Sequence, residues 1–281
     1  MYIKEYRSDF IQSLTATYDA GEAESFFYLI LEQLKQMRRV DLALNPEAKF
    51  TEEEVVQWNQ ILELLKAEKP IQYILGTTSF YGLEFEVNEN VLIPRPETEE
   101  LVEWIVRENA TKGPVRILDI GTGSGCIAIT LAKELPDAKV SAIDVSSKAI
   151  ETAQRNAQRN GVAVNFVLQD ILAANILPDQ YDVIVSNPPY IRELEKVEIK
   201  NNVLENEPHL ALFVSDADPL IFYRKISELA IENLQSKGTL YFEINQYLGV
   251  EMKSLMQEKG FQNVELIQDI YGNERMMKGS L

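Results

Sequence analysis

Apolar residues recur three and four positions apart along the first 75 residues, which is the period of amphipathic helices. Three series show this spacing: Ile3, Tyr6, Phe10 and Leu14; Phe26, Phe27, Ile30, Leu31 and Leu34; and Val55, Trp58, Ile61, Leu62 and Leu65. Thr51 and Glu54 have the spacing of a capping box in front of the third series. The pattern predicts a small helical bundle over residues 1–76.

The apolar period shortens to that of a strand after Thr77. Aromatic and aliphatic residues from Phe80 to Val87 predict a strand, and the polar run 88–90 predicts a turn into the apolar residues 91–93. We therefore expect a β-hairpin over residues 77–93 that joins the bundle to a second domain, residues 94–281.

Buried strands and amphipathic helices alternate from Val115 onward, which predicts an α/β fold with a doubly wound parallel sheet. The predicted strands are 115–120, 139–143, 164–168, 181–186, 239–244 and 261–268, with a short last strand near Met276. Between them, helices are predicted at 127–135, from Ser146 to the Asn160-Gly161 cap signal, at 219–234 and from Leu248. The charged segment 193–209 is expected to be irregular and to cover a site.

A glycine-rich turn follows the first strand of this sheet. Its residues are Gly121, Thr122, Gly123, Ser124 and Gly125, with Cys126 where a dinucleotide-binding turn carries its third glycine. This spacing favours a ligand without a pyrophosphate, such as S-adenosylmethionine. Asp144 ends the second strand, about 20 residues further on, where an acidic side chain can accept hydrogen bonds from ribose hydroxyls.

The fourth strand ends abruptly in Asn187, Pro188, Pro189 and Tyr190. Prolines lack an N–H and force the preceding residue into an extended conformation, so carbonyl oxygens at this kink stay unpaired. An amide side chain, free carbonyls and an aromatic ring can together bind a planar group that carries an NH2. A plain strand-ending turn is the alternative interpretation of these four residues alone. Ligands in such sheets bind outside the carboxyl ends of the strands, where both motifs lie.

Three further charged residues have two possible roles each. Arg95 lies between two prolines and either reaches a ligand or pairs with a glutamate, and the pattern favours the pairing. Asp119 either supports the glycine turn and the cofactor or only accepts backbone N–H bonds there. Asp170 either belongs to the site or caps the turn that follows the third strand.

Composition excludes several classes of protein. The net charge of −17, from 27 Lys and Arg against 44 Asp and Glu, disfavours a protein that binds free DNA. One histidine, His209, and one cysteine are too few for a His/Cys metal cluster, so no metal is expected. A single cysteine, no secretion signal and no apolar run of roughly 20 residues predict a cytoplasmic protein that does not enter membranes.

The motifs resemble those of S-adenosylmethionine-dependent methyltransferases with a Rossmann-like fold that act on amino groups. The glycine turn with Asp119, and the Asn-Pro-Pro-Tyr sequence from Asn187, carry this resemblance. The segment Leu92 to Glu99, read Leu-Ile-Pro-Arg-Pro-Glu-Thr-Glu, is similar to the HemK/PrmC type, which methylates a glutamine side chain in peptide-chain release factors. Further matches to that type are Glu207, Pro208, Ala211, Leu212, Asp269, Gly272 and Arg275.

The resemblance implies a role for each motif. The glycine turn would contact the methionine part of S-adenosylmethionine, Asp144 the ribose, and Ile171 the adenine. Asp119 and Arg95 would support the turn or the region around the cofactor's carboxylate. Asn187 and Pro188 would accept hydrogens from the glutamine amide of the release factor's Gly-Gly-Gln motif, and Tyr190 would stack on it. The bundle over residues 1–76 would dock this substrate, and we expect a monomer.

Other functions share parts of this pattern. A related type methylates a glutamine of a ribosomal protein with the same catalytic residues. Nucleic-acid adenine methyltransferases also carry Asn-Pro-Pro-Tyr, although the acidic charge disfavours that class here. A non-catalytic S-adenosylmethionine-binding module would not need the motif at all.

Overall fold

The computed structural model describes all 281 residues, Met1 to Leu281, and they form two compact units. The first unit consists of residues 1–76 together with residues 200–206, and the second consists of residues 77–199 and 207–281. No helix of the chain is both long and apolar enough to cross a membrane.

The first unit is helical, as the apolar period predicts. Its helices are α1 (Ile3–Leu14), α2 (Ala20–Lys35), α3 (Arg39–Leu44), α4 (Glu52–Lys66), α5 (Ile71–Leu75) and, from the distant segment, α9 (Asn201–Leu204). The predicted capping box opens α4, with the Thr51 hydroxyl accepting from the Glu54 N–H and the Glu54 carboxylate accepting from the Thr51 N–H. Trp58 is fully buried at the centre of the bundle, with four aromatic rings 4.9 to 5.8 Å away: Tyr6, Phe10, Phe27 and Phe50.

A two-stranded hairpin begins the second unit, but its turn is not where the sequence pattern placed it. Strand β1 (Thr77–Phe80) pairs with β2 (Leu83–Glu86), and the chain reverses at Tyr81 and Gly82. Both turn residues have positive φ, 51° and 73°, as in two-residue turns that match the twist of paired strands. Residues 91–93 are not a strand, because the N–H of Ile93 donates to the Glu207 carboxylate instead of to a strand.

A seven-stranded sheet forms the centre of the second unit. Its strands are β3 (Arg116–Ile120), β4 (Lys139–Asp144), β5 (Asn165–Leu168), β6 (Tyr181–Ser186), β9 (Leu234–Glu243), β10 (Gln262–Gln268) and β11 (Glu274–Ser280). The order is β10-β11-β9-β6-β3-β4-β5, with the five strands from β9 to β5 parallel and the β10 and β11 pairings antiparallel. The strand near Met276 is therefore seven residues long and internal, longer than predicted.

Helices cover both faces of this sheet, so its strands are buried on both sides. They are α6 (Pro96–Asn109), α7 (Cys126–Glu134), α8 (Ser147–Asn160), α11 (Ile221–Asn233) and α12 (Gly249–Glu258), and the short helix α10 (His209–Leu212) also belongs to this unit. The segment predicted to be irregular instead contains a 3-10 helix, Glu193–Glu198, followed by α9 and α10, and two short strands, β7 (Ile191–Arg192) and β8 (Phe213–Val214), pair beside it. Because α9 belongs to the first unit, it contacts residues that are far away in the sequence. The hydrophobic pattern of residues 193–209 alone does not show these contacts.

The sheet registers place the site. Ile120 at the end of β3 lies beside Ile143 of β4 and beside Ser186 of β6, so these strands end at one level. The chain continues from β3 to β4 and β5 on one side, and to β6 and β9 on the other. The reversal of direction between β3 and β6 opens a crevice at their carboxyl ends, which is where ligands bind in such sheets.

Candidate active site

The glycine turn follows β3 and is held against the end of β4. The N–H groups of Gly121 and Thr122 both donate to the Ile143 carbonyl, at 2.8 and 3.0 Å. Gly121, Gly123 and Gly125 all have positive φ, and a side chain on Gly123 would have no other atom within 4 Å. The backbone of this turn is therefore open to a ligand on that side.

Asp144 connects this turn to the start of α8. One carboxylate oxygen accepts from the Gly123 N–H at 2.8 Å, and the other accepts from the Ser146 N–H at 2.9 Å. Burial raises the pKa of Asp144 above its ordinary value, and these backbone hydrogen bonds oppose the rise. Each oxygen keeps a further lone pair, so Asp144 can still accept from a ligand.

Asp119 lies beneath the turn and is fully buried. Its carboxylate accepts from the Thr122 hydroxyl at 2.6 Å. Burial raises the pKa of Asp119 to about 7, opposed by that hydrogen bond and reinforced by the charge of Asp144. Its contact with Thr122 makes Asp119 a support of the turn.

The Asn-Pro-Pro-Tyr segment leaves β6 directly across the crevice from the glycine turn. A side chain on Gly121 would lie 4.0 Å from the Asn187 carbonyl oxygen, so the two motifs approach closely. The Asn187 side-chain NH2 donates to the Thr98 hydroxyl at 3.4 Å, and the Tyr190 hydroxyl donates to Glu243 at 3.1 Å. Burial, followed by the nearby Glu243 charge, raises the pKa of the Tyr190 phenol far above its ordinary value, so it stays a neutral donor.

Thr98 and Glu243 adjoin this site although the sequence motifs do not indicate a role for either. Thr98 lies in the first turn of α6 and donates from its hydroxyl to Glu243 at 2.6 Å. Glu243 ends β9 and is 1% exposed; burial raises its pKa, while the Thr98 hydrogen bond and the charge of Arg275 oppose the rise. The one sequence signal for Glu243 is an acidic residue directly after the apolar run Leu240 to Phe242.

A cavity of about 350 Å³ joins the two motifs. Gly121, Gly123 and Asp144 form one part of its wall, and Asn187, Pro188 and Pro189 form another. Apolar side chains complete it, and they include Ile143, Ile171, Leu210, Ala211, Phe222 and Ile226. A volume of this order and a mostly apolar wall with a few polar groups are typical of small-molecule sites.

Comparison with known proteins identifies the family of this chain. A family model described as Methyltransferase small domain matches residues 98–212, and one described as PrmC N-terminal domain matches residues 5–76. A release factor glutamine methyltransferase of Flavobacterium psychrophilum is 59% identical over 99% of both chains. The chain belongs to the release factor glutamine methyltransferase family. The resemblance inferred from the motifs is thus confirmed.

One further relative and one solved structure extend the comparison. A release factor glutamine methyltransferase of Bacteroides thetaiotaomicron is 45% identical over 95% of each chain. A solved methyltransferase structure from Pyrococcus furiosus matches with a TM-score of 0.51 at 22% identity, over 79% of this chain and 98% of that one. At that identity the structural likeness concerns the fold, and it agrees with the predicted Rossmann-like methyltransferase architecture.

The structure brings some of the predicted site residues to the cavity and leaves others behind it. Asp170 and Ile171 line the cavity, and Asp170 also caps the following turn by accepting from the Leu172 N–H at 2.9 Å. Arg95 pairs with the buried Glu207 at 2.5 Å, which is the pairing that the pattern favoured. The predicted residues outside the cavity wall are Arg95, Asp119, Thr122, Ser124, Gly125 and Tyr190. No group of three or more His, Cys, Asp or Glu side chains is placed to hold a metal ion.

Proposed function

We propose that this chain transfers a methyl group from S-adenosylmethionine to the side-chain amide nitrogen, N5, of a glutamine in a peptide-chain release factor. The observation that supports it best is one shared cavity, whose wall includes Gly121, Gly123 and Asp144 in one part and Asn187 and Pro188 in another. Family membership supports the release factor, and its Gly-Gly-Gln motif, as the source of the glutamine.

The residues present fit S-adenosylmethionine. The space beside Gly123 lets a ligand approach the backbone of the turn. Asp144 has lone pairs left for the ribose hydroxyls, and Ile171 offers an apolar surface, 8% exposed, for the adenine. When bound, this cofactor would supply an electrophilic methyl group to the amide nitrogen, and the nitrogen would release one hydrogen to solvent as a proton.

Asn187 and Pro188 supply the positioning that this reaction needs. An amide nitrogen is a weak nucleophile because its lone pair is delocalised into the carbonyl. The Asn187 side-chain oxygen and the Pro188 carbonyl oxygen each accept one hydrogen of the substrate NH2 and hold the nitrogen in line with the methyl group. Tyr190 lies outside the cavity wall and its hydroxyl donates to Glu243, so it supports the segment that carries Asn187 instead of the predicted stacking on the amide. A sulfonium leaving group needs no protonation, so the site requires no general acid.

Replacing Asn187 tests this role. Asn187→Ala should lower methylation of purified release factor by at least about 100-fold, because one oriented acceptor is lost. Its affinity for S-adenosylmethionine, measured by calorimetry, should stay within about threefold of the wild type. Asn165→Ala, which removes an exposed asparagine at the start of β5, is the matched control and should keep full activity. Near-normal methylation by Asn187→Ala would refute the proposed role.

The substrate class is tested with labelled S-adenosylmethionine and three separate acceptors. We expect incorporation into release factor, and none into DNA. Label in ribosomal protein instead of release factor would replace the proposed substrate while leaving the chemistry intact.

We further propose that the helical residues 1–76 dock the release factor, and that the enzyme is a cytoplasmic monomer. Every residue that lines the cavity belongs to the second unit, so the helical residues are free of a role in the cavity wall.

A further inference from the structure

The Thr98 hydroxyl lies between two side chains from the carboxyl ends of the neighbouring parallel strands β6 and β9. It donates its hydrogen to Glu243 at 2.6 Å, and it lies 3.4 Å from the side-chain nitrogen of Asn187. Thr98 is 2% exposed and Glu243 is 1% exposed, so water does not compete for these contacts. The three residues form a buried chain of hydrogen bonds that ends at the cavity wall.

The direction of each hydrogen bond in this chain is set by Glu243. Its carboxyl group accepts the single hydroxyl hydrogen of Thr98 at 2.6 Å. Thr98 then offers only lone pairs to Asn187, and only the NH2 half of the asparagine amide can face it. The other half, the carbonyl oxygen, is consequently turned away from Thr98, and Asn187 is a residue of the cavity wall.

Neighbouring groups keep Glu243 in its place. The Tyr190 hydroxyl donates to its other oxygen at 3.1 Å, so both oxygens of Glu243 are engaged by neutral donors. The charge of the Arg275 guanidinium opposes the rise that burial causes in the pKa of Glu243, and Arg275 is itself held by Asp269 at 3.2 Å. Glu243 therefore fixes two members of the Asn-Pro-Pro-Tyr motif, one directly and one through Thr98.

We propose that Thr98 and Glu243 are positioning residues that fix the rotation of the Asn187 amide, so that its oxygen faces the substrate NH2. An asparagine amide with the opposite rotation would present its own NH2 to the substrate NH2, and two donors cannot bond. The inference rests on the proposed function, since it concerns how Asn187 receives the glutamine amide.

Thr98→Val tests the orientation, because valine has the shape of threonine without the hydroxyl. We expect kcat with release factor to fall by about 10- to 100-fold, as for other losses of substrate placement. Binding of S-adenosylmethionine and the melting temperature should remain close to those of the wild type, a separation that a merely structural role would not produce. Thr98→Ser keeps the hydroxyl and should restore kcat to within about threefold of the wild type.

Glu243→Gln provides a second test that does not depend on the folding of Thr98→Val. The glutamine amide can donate as well as accept, so it no longer dictates the direction of the Thr98 hydrogen bond, and kcat should fall at least threefold. Wild-type kcat in either variant would overturn the inference while leaving the proposed function standing. A wild-type enzyme that is inactive on release factor would overturn the proposed function first, and the inference with it.

Discussion

Adding one methyl group at Gly125 should destabilise the protein more than adding one at Gly123. Both glycines have positive φ, 84° and 54°. A Cβ on Gly125 would lie 2.7 Å from the Ile129 Cδ1 and 3.1 Å from the Ala153 Cβ, whereas a Cβ on Gly123 would have nothing within 4 Å. The two sites therefore share a conformational cost, and only Gly125 adds a steric one.

The two costs can be estimated separately. Placing alanine in the left-handed region costs about 1–2 kcal/mol, and this applies to both variants. Forcing a methyl group into a packed interior adds about 1–3 kcal/mol. Gly125→Ala should therefore lower the free energy of unfolding by about 2–5 kcal/mol, and Gly123→Ala by about 1–2 kcal/mol.

Urea unfolding followed by fluorescence measures the difference. A Trp58→Phe background common to all variants leaves Trp104, which lies in the methyltransferase unit, as the reporter. Ile129→Val removes the atom nearest to the new methyl group, so Gly125→Ala should cost about 1 kcal/mol less in that background. Equal costs for the alanine variants at Gly123 and Gly125 would refute the steric argument.

Two further predictions concern buried carboxylates. Glu207→Ala should lower the free energy of unfolding by about 2–4 kcal/mol, because it leaves the Ile93 N–H and the Arg95 guanidinium without their acceptor. The control is Glu63→Ala, which breaks an exposed ion pair. It should lower the free energy of unfolding by less than about 1 kcal/mol in the same urea titration. Asp119 has its pKa raised by burial from 3.8 to about 7, so its contribution to stability is complete below pH 4 and is lost as the pH rises through 7. Between pH 5 and pH 8 the free energy of unfolding of the wild type should therefore fall by about 3 kcal/mol more than that of Asp119→Asn. Parallel pH profiles of the free energy of unfolding for these two proteins would show that the Asp119 carboxyl is not held neutral by burial.

The sequence predicts those parts of the fold whose signals are local. Helix α8 begins after Ser146, whose hydroxyl accepts from the Ala149 N–H, and ends at Gly161 with φ 67°, as the cap signals indicate. The strands that carry the two motifs also lie where predicted, since each is a short apolar run closed by turn residues. Both site motifs could be found for the same reason.

Features that depend on distant contacts could not be read in this way. Met276 and Met277 are both buried because the two faces of the sheet are both covered, so strand β11 shows no alternation that would reveal its length. Glu243 meets Tyr190 across 53 positions and Thr98 across 145, and no spacing rule connects residues so far apart. The hairpin turn was misplaced because Tyr81, a non-glycine residue with positive φ, is an uncommon choice there.

The seven residues 200–206 make the protein hard to divide by cutting the chain once. Asn201 and Asn206 donate from their side chains to Glu68, each at 3.4 Å, although the segment is flanked on both sides by methyltransferase sequence. A fragment that starts at Thr77 would retain this heptapeptide and lose every partner it has in the bundle. The stretch left without partners would end directly before Glu207 and Pro208, and Pro208 lines the cavity. Removing the amino-terminal helices would therefore affect a loop of the cavity wall that lies more than 120 residues downstream.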